Sequence, residues 1–234
     1  MIHPRPSSDI PGQDQQAWGV VLAVLAVAVA CCAGYLFGVK LSPLTHDRNF
    51  PWIVARSTGV AAVVALGASC VSGLVFRRPA GSRRRLHPET TVRAHVALAA
   101  AVAALVTAHI GSLLADRWSG VTWSSVVVPG TAQYRPTAVA YGTVAVALVA
   151  LATSSAALAG RWLVGARWLR VHATALPAFA LAWLHGVTAG SDTGPLRVMY
   201  ILLGAAVLLS VLVRFSSRGR TRARPALEAP EAAR

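Results

Sequence analysis

Between Ala17 and Val39 the chain runs for 23 residues without a charge. The hydrocarbon core of a bilayer is about 30 Å thick and takes around 20 apolar residues of helix at 1.5 Å each. This run alone is long enough to cross it. Five more runs meet or approach that length: about Trp52 to Phe76 with Arg56 near its start, Ala94 to Leu114, Thr137 to Ala159, Trp168 to Ala189, and the shorter Leu196 to Val213 with Arg197 at its beginning. Hydrophobic residues fill 55% of the 234 positions and charged residues only 13%, roughly half the share found in soluble domains. A soluble enzyme and a disordered chain are both excluded. Glycine and alanine are dense in the runs, Gly59, Gly67 and Gly73 among them, and small residues let helix backbones approach closely in lipid. The expected fold is an all-α integral membrane protein: a six-transmembrane-helix bundle over residues 17–213, after a tail of residues 1–16 and before a basic, disordered tail of residues 214–234.

Charge orients the bundle. The balance of 22 Lys+Arg against 8 Asp+Glu gives a formal net charge of +14, which on a soluble surface would point to nucleic acid. Here the basic residues cluster between apolar runs, as in the cytoplasmic loops of membrane proteins, so no nucleic-acid partner is expected. Arg77, Arg78, Arg83, Arg84, Arg85 and Arg93 lie between the second and third runs, and Arg161, Arg167 and Arg170 around the start of the fifth. Arg214, Arg218, Arg220, Arg222 and Arg224 follow the sixth. The other loops are poorer, with Lys40 and Arg48 in one, and Arg117 and Arg135 in the next. The reading is a multi-pass protein of the cell membrane, in contact with lipid, with both termini cytoplasmic. The first run exceeds the apolar length of a cleavable signal and has only Arg5 as a clear preceding charge, so it reads as a retained helix. Cys31, Cys32 and Cys70 sit within apolar runs and form neither a disulfide framework nor a zinc motif.

The chemistry lies in histidine. His3, His46 and His87 fall in tails and loops, but His95 and His109 fall in the third run, and His172 and His185 in the fifth. Ionisable residues inside a span are costly and mark a site or pathway by default. The two pairs are spaced by 14 and 13 residues, about 21 and 19.5 Å of helix, so each run carries one His near each face. The two runs are parallel, which sets His95 level with His172 on the inside and His109 level with His185 on the outside. Two facing imidazoles at two depths match two stacked b-type haems with bis-His ligation. Zinc would want three or four convergent ligands, and neither run holds a Cys, Asp or Glu. One detail resists: on an ideal helix 14 steps leave His95 and His109 about 40° apart, but 13 steps leave His172 and His185 about 140° apart. Pro177, lying between the second pair, is the expected correction through a kink or altered winding.

These features resemble the ferric reductase-like transmembrane domain, the haem-bearing module of ferric reductases and NADPH oxidases, in its stand-alone bacterial form. The resemblance rests on the four His at their spacings, on Ala55-Arg56-Ser57-Thr58-Gly59, and on Val128-Pro129 with Tyr134-Arg135-Pro136. His185-Gly186 followed by Gly190-Ser191-Asp192-Thr193 adds to it, and together these cover about residues 50–213. It implies two haems b, an inner one on His95 and His172 and an outer one on His109 and His185, passing electrons outward. Arg56 resembles the family's second-helix arginine near the outer haem, where it would pair with a propionate; it reads equally well as a snorkelling interfacial residue. Propionates favour cationic partners at the aqueous rim, and the outer rim offers Arg117, Arg135 and Arg197 beside Arg56.

Full-length relatives carry a flavin and nicotinamide domain after the last helix. The residues after Arg214 have no strand pattern and no Gly-rich phosphate loop, so FAD and NADPH binding of that kind is not expected here. Electrons would come from a separate flavin reductase or from quinol and leave to an extracytoplasmic acceptor or redox partner. The expected function is a transmembrane electron-transfer b-type cytochrome, the membrane subunit of an oxidoreductase. The alternative is a non-redox membrane transporter or assembly scaffold using the His as proton relays.

Overall fold

The computed structural model describes residues 49–75, 88–159, 166–191 and 193–223. The first apolar run, the arginines between Arg77 and Arg85, Arg161 and Asp192 lie outside them. The described residues belong to one compact unit, Arg48–Arg234, and all regular structure among them is helical. The helices are α1 (Phe50–Val75), α2 (Pro88–Ala115), α3 (Trp123–Val127), α4 (Pro136–Ala157), α5 (Ala166–His172), α6 (Ala175–Ala189) and α7 (Thr193–Ala223).

Four of them are long and apolar enough to cross a membrane: Phe50–Leu74, Thr91–Ala115, Pro136–Ala157 and Thr193–Ser216. The protein is a multi-pass membrane protein. Each matches one of the predicted runs, and α7 extends well beyond the short run that announced it. The fifth run is divided into α5 and α6 at Ala173–Thr174. Pro177 explains the division, because it has no N–H to give and its ring crowds the carbonyl four residues back, that of Ala173. The chain answers with tighter turns: Thr174 N–H bonds to Val171 O at 3.0 Å and Leu176 N–H to Ala173 O at 3.1 Å, both three residues back. Three-residue turns advance about 20° more per residue than an α-helix, which recovers part of the phase that 13 ideal steps lack.

α1 is the central element. A third of its spanning window is buried, against 6% for α2, and it packs on α2, α6 and α7. α4 packs on α5 and α6. The shared core of Val63, Leu66, Cys70, Val102, Phe179, Tyr200 and Val207 draws on α1, α2, α6 and α7. α2 has no extensive direct packing with α5 or α6, so a gap lies between them, walled by α1 on one side and α4 on the other. The outer face of α7 (Val198, Ile201, Leu202, Leu208, Leu209, Leu212) is exposed, as expected of a surface solvated by lipid tails.

The segment from Asp116 to Arg135 crosses one end of the bundle. Ser125 fastens it: its hydroxyl bonds to both backbone groups of Thr122, at 3.0 and 2.8 Å, and its carbonyl accepts from Thr143 of α4 at 2.9 Å. Trp118 and Trp123 are each 71% exposed there, the amphipathic type that favours a membrane–water boundary.

Candidate metal centre: two levels of paired histidines

The gap between α2 and α5–α6 holds the four intramembrane histidines, paired first with first. The ring centroids of His95 and His172 are 6.0 Å apart with planes at 70°. Those of His109 and His185 are 6.3 Å apart with planes at 78°. His172 and His185 therefore both face α2, despite their awkward spacing on an ideal helix.

Each ring is held from behind by a neighbouring helix. His109 Nδ1 is 2.7 Å from Ala55 O of α1, His185 Nδ1 2.8 Å from Ala138 O of α4, and His172 Nδ1 2.9 Å from Ala152 O of α4. A carbonyl only accepts, so each imidazole donates its Nδ1–H. In the neutral ring this leaves the lone pair on Nε2. His95 reaches the same tautomer by a different route. Its Nδ1 lies 2.9 Å from Ser72 Oγ, and that hydroxyl spends its own hydrogen on Ser69 O at 2.7 Å. Ser72 therefore accepts, and His95 donates. The other ring nitrogen being fixed by a backbone or hydroxyl acceptor is the usual way a protein orients a metal-ligating histidine.

Small residues make this approach possible. A Cβ on Gly59 would come within 2.8 Å of the His109 ring, one on Gly142 within 2.9 Å of His185, and one on Gly73 within 3.2 Å of His95. The register is regular: Gly59 stands four residues after Ala55, Gly142 four after Ala138 and Gly73 four after Ser69. In a helix the residue four along covers its partner carbonyl, and without a side chain there the carbonyl stays open to a second donor. Read from sequence, these glycines explained only helix packing. The signal was present: Gly59 and Gly73 are separated by 14 residues, the spacing of His95 and His109. Ser72 and Trp168 were not legible as site residues. Trp168, one turn before His172, lies 5.6 Å from its ring centroid to centroid and covers the first level.

Around the second level opens a cavity of ≈ 220 Å³, lined mostly by aliphatic side chains with His109, His185, Trp52, Arg56, Tyr134 and Tyr200. Arg56 lies at this cavity. Its guanidinium carbon lies 5.9 Å from the Trp52 ring centre, and the residue borders the cavity. Arg135 is placed differently. It does not line the cavity; its Nη1 donates to Thr188 O at 2.6 Å and it stacks on Tyr134 at 5.3 Å. It also holds a left-handed backbone, φ 41°, immediately before Pro136, a conformation disfavoured for a side chain of its size. Together with Tyr134 OH on Ala189 O at 3.3 Å, Arg135 ties the loop to the end of α6, where a cation also suits the carbonyl end of the helix. Asp116 is buried and caps its own turn through Trp118 N–H at 2.9 Å. Among the described residues no group of three His, Cys, Asp or Glu side chains converges as a zinc site would need.

Compared with family models, with curated proteins and with solved structures, the chain finds no match in any of the three.

Proposed function

We propose that this protein is a transmembrane electron carrier that binds two b-type haems, one between His95 and His172 and one between His109 and His185. The observation that carries the reading is the separation of the paired rings. A metal–imidazole bond of about 2 Å, with about 1.1 Å more from nitrogen to ring centre, puts the centroids of two trans imidazoles roughly 6 Å apart. The separations of 6.0 and 6.3 Å agree. The donor chemistry agrees as well: two imidazoles at each level, each held through Nδ1, and among the described residues no convergent group of three His, Cys, Asp or Glu, suit a metal whose other ligands come from a macrocycle.

Haem iron with two axial histidines supplies reversible one-electron chemistry at each level. The chain's own residues do the rest. The backbone carbonyls and Ser72 fix each ring, so the ligand geometry is set before anything binds. Aliphatic walls exclude water from the second level, and Arg56 offers a cation for a carboxylate at its open end. The two levels, marked on α2 by His95 and His109, stand about 21 Å apart in depth, far enough to span most of a bilayer in two stations.

Proton relay is a weaker reading on the same observations. A relay imidazole must exchange protons at both nitrogens, and here every Nδ1–H is engaged with an acceptor that has no proton to return, or has already placed it elsewhere.

The donor is a separate flavin reductase or quinol on the cytoplasmic side, and the acceptor a ferric species or partner protein outside, as in the ferric reductase-like domains that the sequence resembles. In this orientation both termini are cytoplasmic and the first level is the inner one. The test is purification after haem-replete expression. Two haems b per chain by pyridine haemochrome, with low-spin bis-His signals in electron paramagnetic resonance, are expected. A colourless preparation sinks the proposal.

A further inference from the structure

Tyr200 of α7 is 5% exposed and lines the cavity beside His109 and His185. Its backbone is fixed, since its carbonyl accepts the Trp183 indole N–H at 2.9 Å. Its phenol reaches across to α6, where a Cβ on Gly186 would come within 2.7 Å of the hydroxyl oxygen. Gly186 follows His185 and also borders the cavity. Among the described residues that hydroxyl makes no hydrogen bond, and no sealed polar atom there lacks a partner, so the hydroxyl opens onto the cavity.

A tyrosine hydroxyl that faces an apolar cavity normally meets a partner in whatever fills it, and desolvating it without one is costly. Phenylalanine would fill the same space without that cost, so the hydroxyl has a use that the protein alone does not reveal. Its direction narrows the use. Helical side chains lean toward their helix N-terminus, and α7 begins at Thr193, beside the end of the cavity that Gly190 and Ser191 border. Arg56, near the beginning of α1, borders the same cavity. A phenol donor and a guanidinium along one apolar chamber are suited to one kind of group, a carboxylate.

We propose that the Tyr200 hydroxyl donates a hydrogen bond to a carboxylate of the molecule that fills this cavity. On the two-haem reading, on which this rests, the carboxylate is a propionate of the haem at His109 and His185. Tyr200 is then a positioning residue and not an iron ligand.

The test is Tyr200→Phe in the purified full chain loaded with haem. Transfer of haem to excess apomyoglobin should show two phases, one for each level. In the variant one phase should be about tenfold faster, the loss of one hydrogen bond to a charged acceptor, and the other unchanged. Loading both proteins with haem dimethyl ester, which lacks free carboxylates, should abolish the difference. Thermal unfolding of the haem-free proteins should show the variant no less stable than wild type. An unchanged rate, a difference that persists with the ester, or a haem-free variant that melts earlier overturns the assignment, the last by showing that the hydroxyl serves packing. Wild-type protein that takes up no haem overturns the two-haem reading itself.

Discussion

At the scale of the residue, the second level is set by contacts that leave no room for one methyl group. Gly59→Ala and Gly142→Ala would drive a Cβ to 2.8 and 2.9 Å from the rings of His109 and His185, and overpacking of this kind costs about 1–3 kcal/mol. On the two-haem proposal each should weaken or displace the haem of that level, read as loss of one of two spectral components. Gly73→Ala, with 3.2 Å to His95, should shift the other component more mildly. Gly111→Ala, which meets nothing within 4 Å, should leave both intact and serves as the control. The four histidines make the sharper prediction. His95→Ala and His172→Ala should remove the same component, and His109→Ala and His185→Ala the other. If His95→Ala and His185→Ala removed a common component, the pairing would be wrong. Arg56→Ala, by taking a cation away from the second level, should move the midpoint potential of that level downward, because the reduced form loses a favourable charge. A redox titration in which neither component moves would show that Arg56 serves the interface with Trp52 and not the site.

At the scale of the element, α5 and α6 carry the most information. A straight helix would turn His172 away from His95, and the overwound turn at Ala173–Thr174 brings it back. Pro177 is the residue that forbids the straight helix. Pro177→Ala restores the missing donor and removes the clash with Ala173 O, so α5 and α6 should tend to merge. The expected result is a perturbed first-level component, visible as altered g-values or weakened haem retention, with the second level unchanged because His185 lies beyond the break. An unaltered first level would mean that packing of α5 on α4, through His172 and Ala152 O, holds the turn without proline. Here the sequence was informative in a limited way. The 13-residue spacing exposed a conflict and Pro177 marked where its resolution would lie, but the direction of the correction depends on which carbonyls the broken turn can still satisfy.

At the scale of the whole molecule, the bundle is organised so that α2 and α5–α6 meet through their histidines more than through packing, with α1 and α4 as the walls that hold the rings. This is why α1, and not the histidine-bearing α2, is the more buried helix. Orientation belongs to this scale too. The arginines from Arg214 onward, in the last turns of α7 and after it, should hold the C-terminus in the cytoplasm. A reporter fused after Arg234 should be active only if it folds in the cytoplasm; activity from an exporter-dependent reporter at the same position would invert the assignment, and with it the order in which electrons meet the two levels.

What the sequence determined by itself was set by length and by polarity. Apolar runs that match a bilayer fix where helices lie, and four ionisable rings inside two of them announce a site, because lipid penalises such groups wherever they have no purpose. Spacing along each helix and the parallel direction of the two runs are also sequence properties, so the first-with-first pairing could be read from them. Which helix stands behind each ring could not. The acceptors for the imidazoles are backbone carbonyls of Ala55, Ala138 and Ala152, and every residue has a carbonyl, so no side chain advertises them. Ser72, Trp168 and Tyr200 enter the site from helices whose rotation is settled only when all the helices pack together. Arg135, equally, looked like a rim cation from its position in the chain, and its guanidinium is instead drawn to the end of α6 because folding places the Thr188 carbonyl within reach. Tertiary structure decided these contacts, since they join residues far apart in the chain through groups that carry no sequence signature.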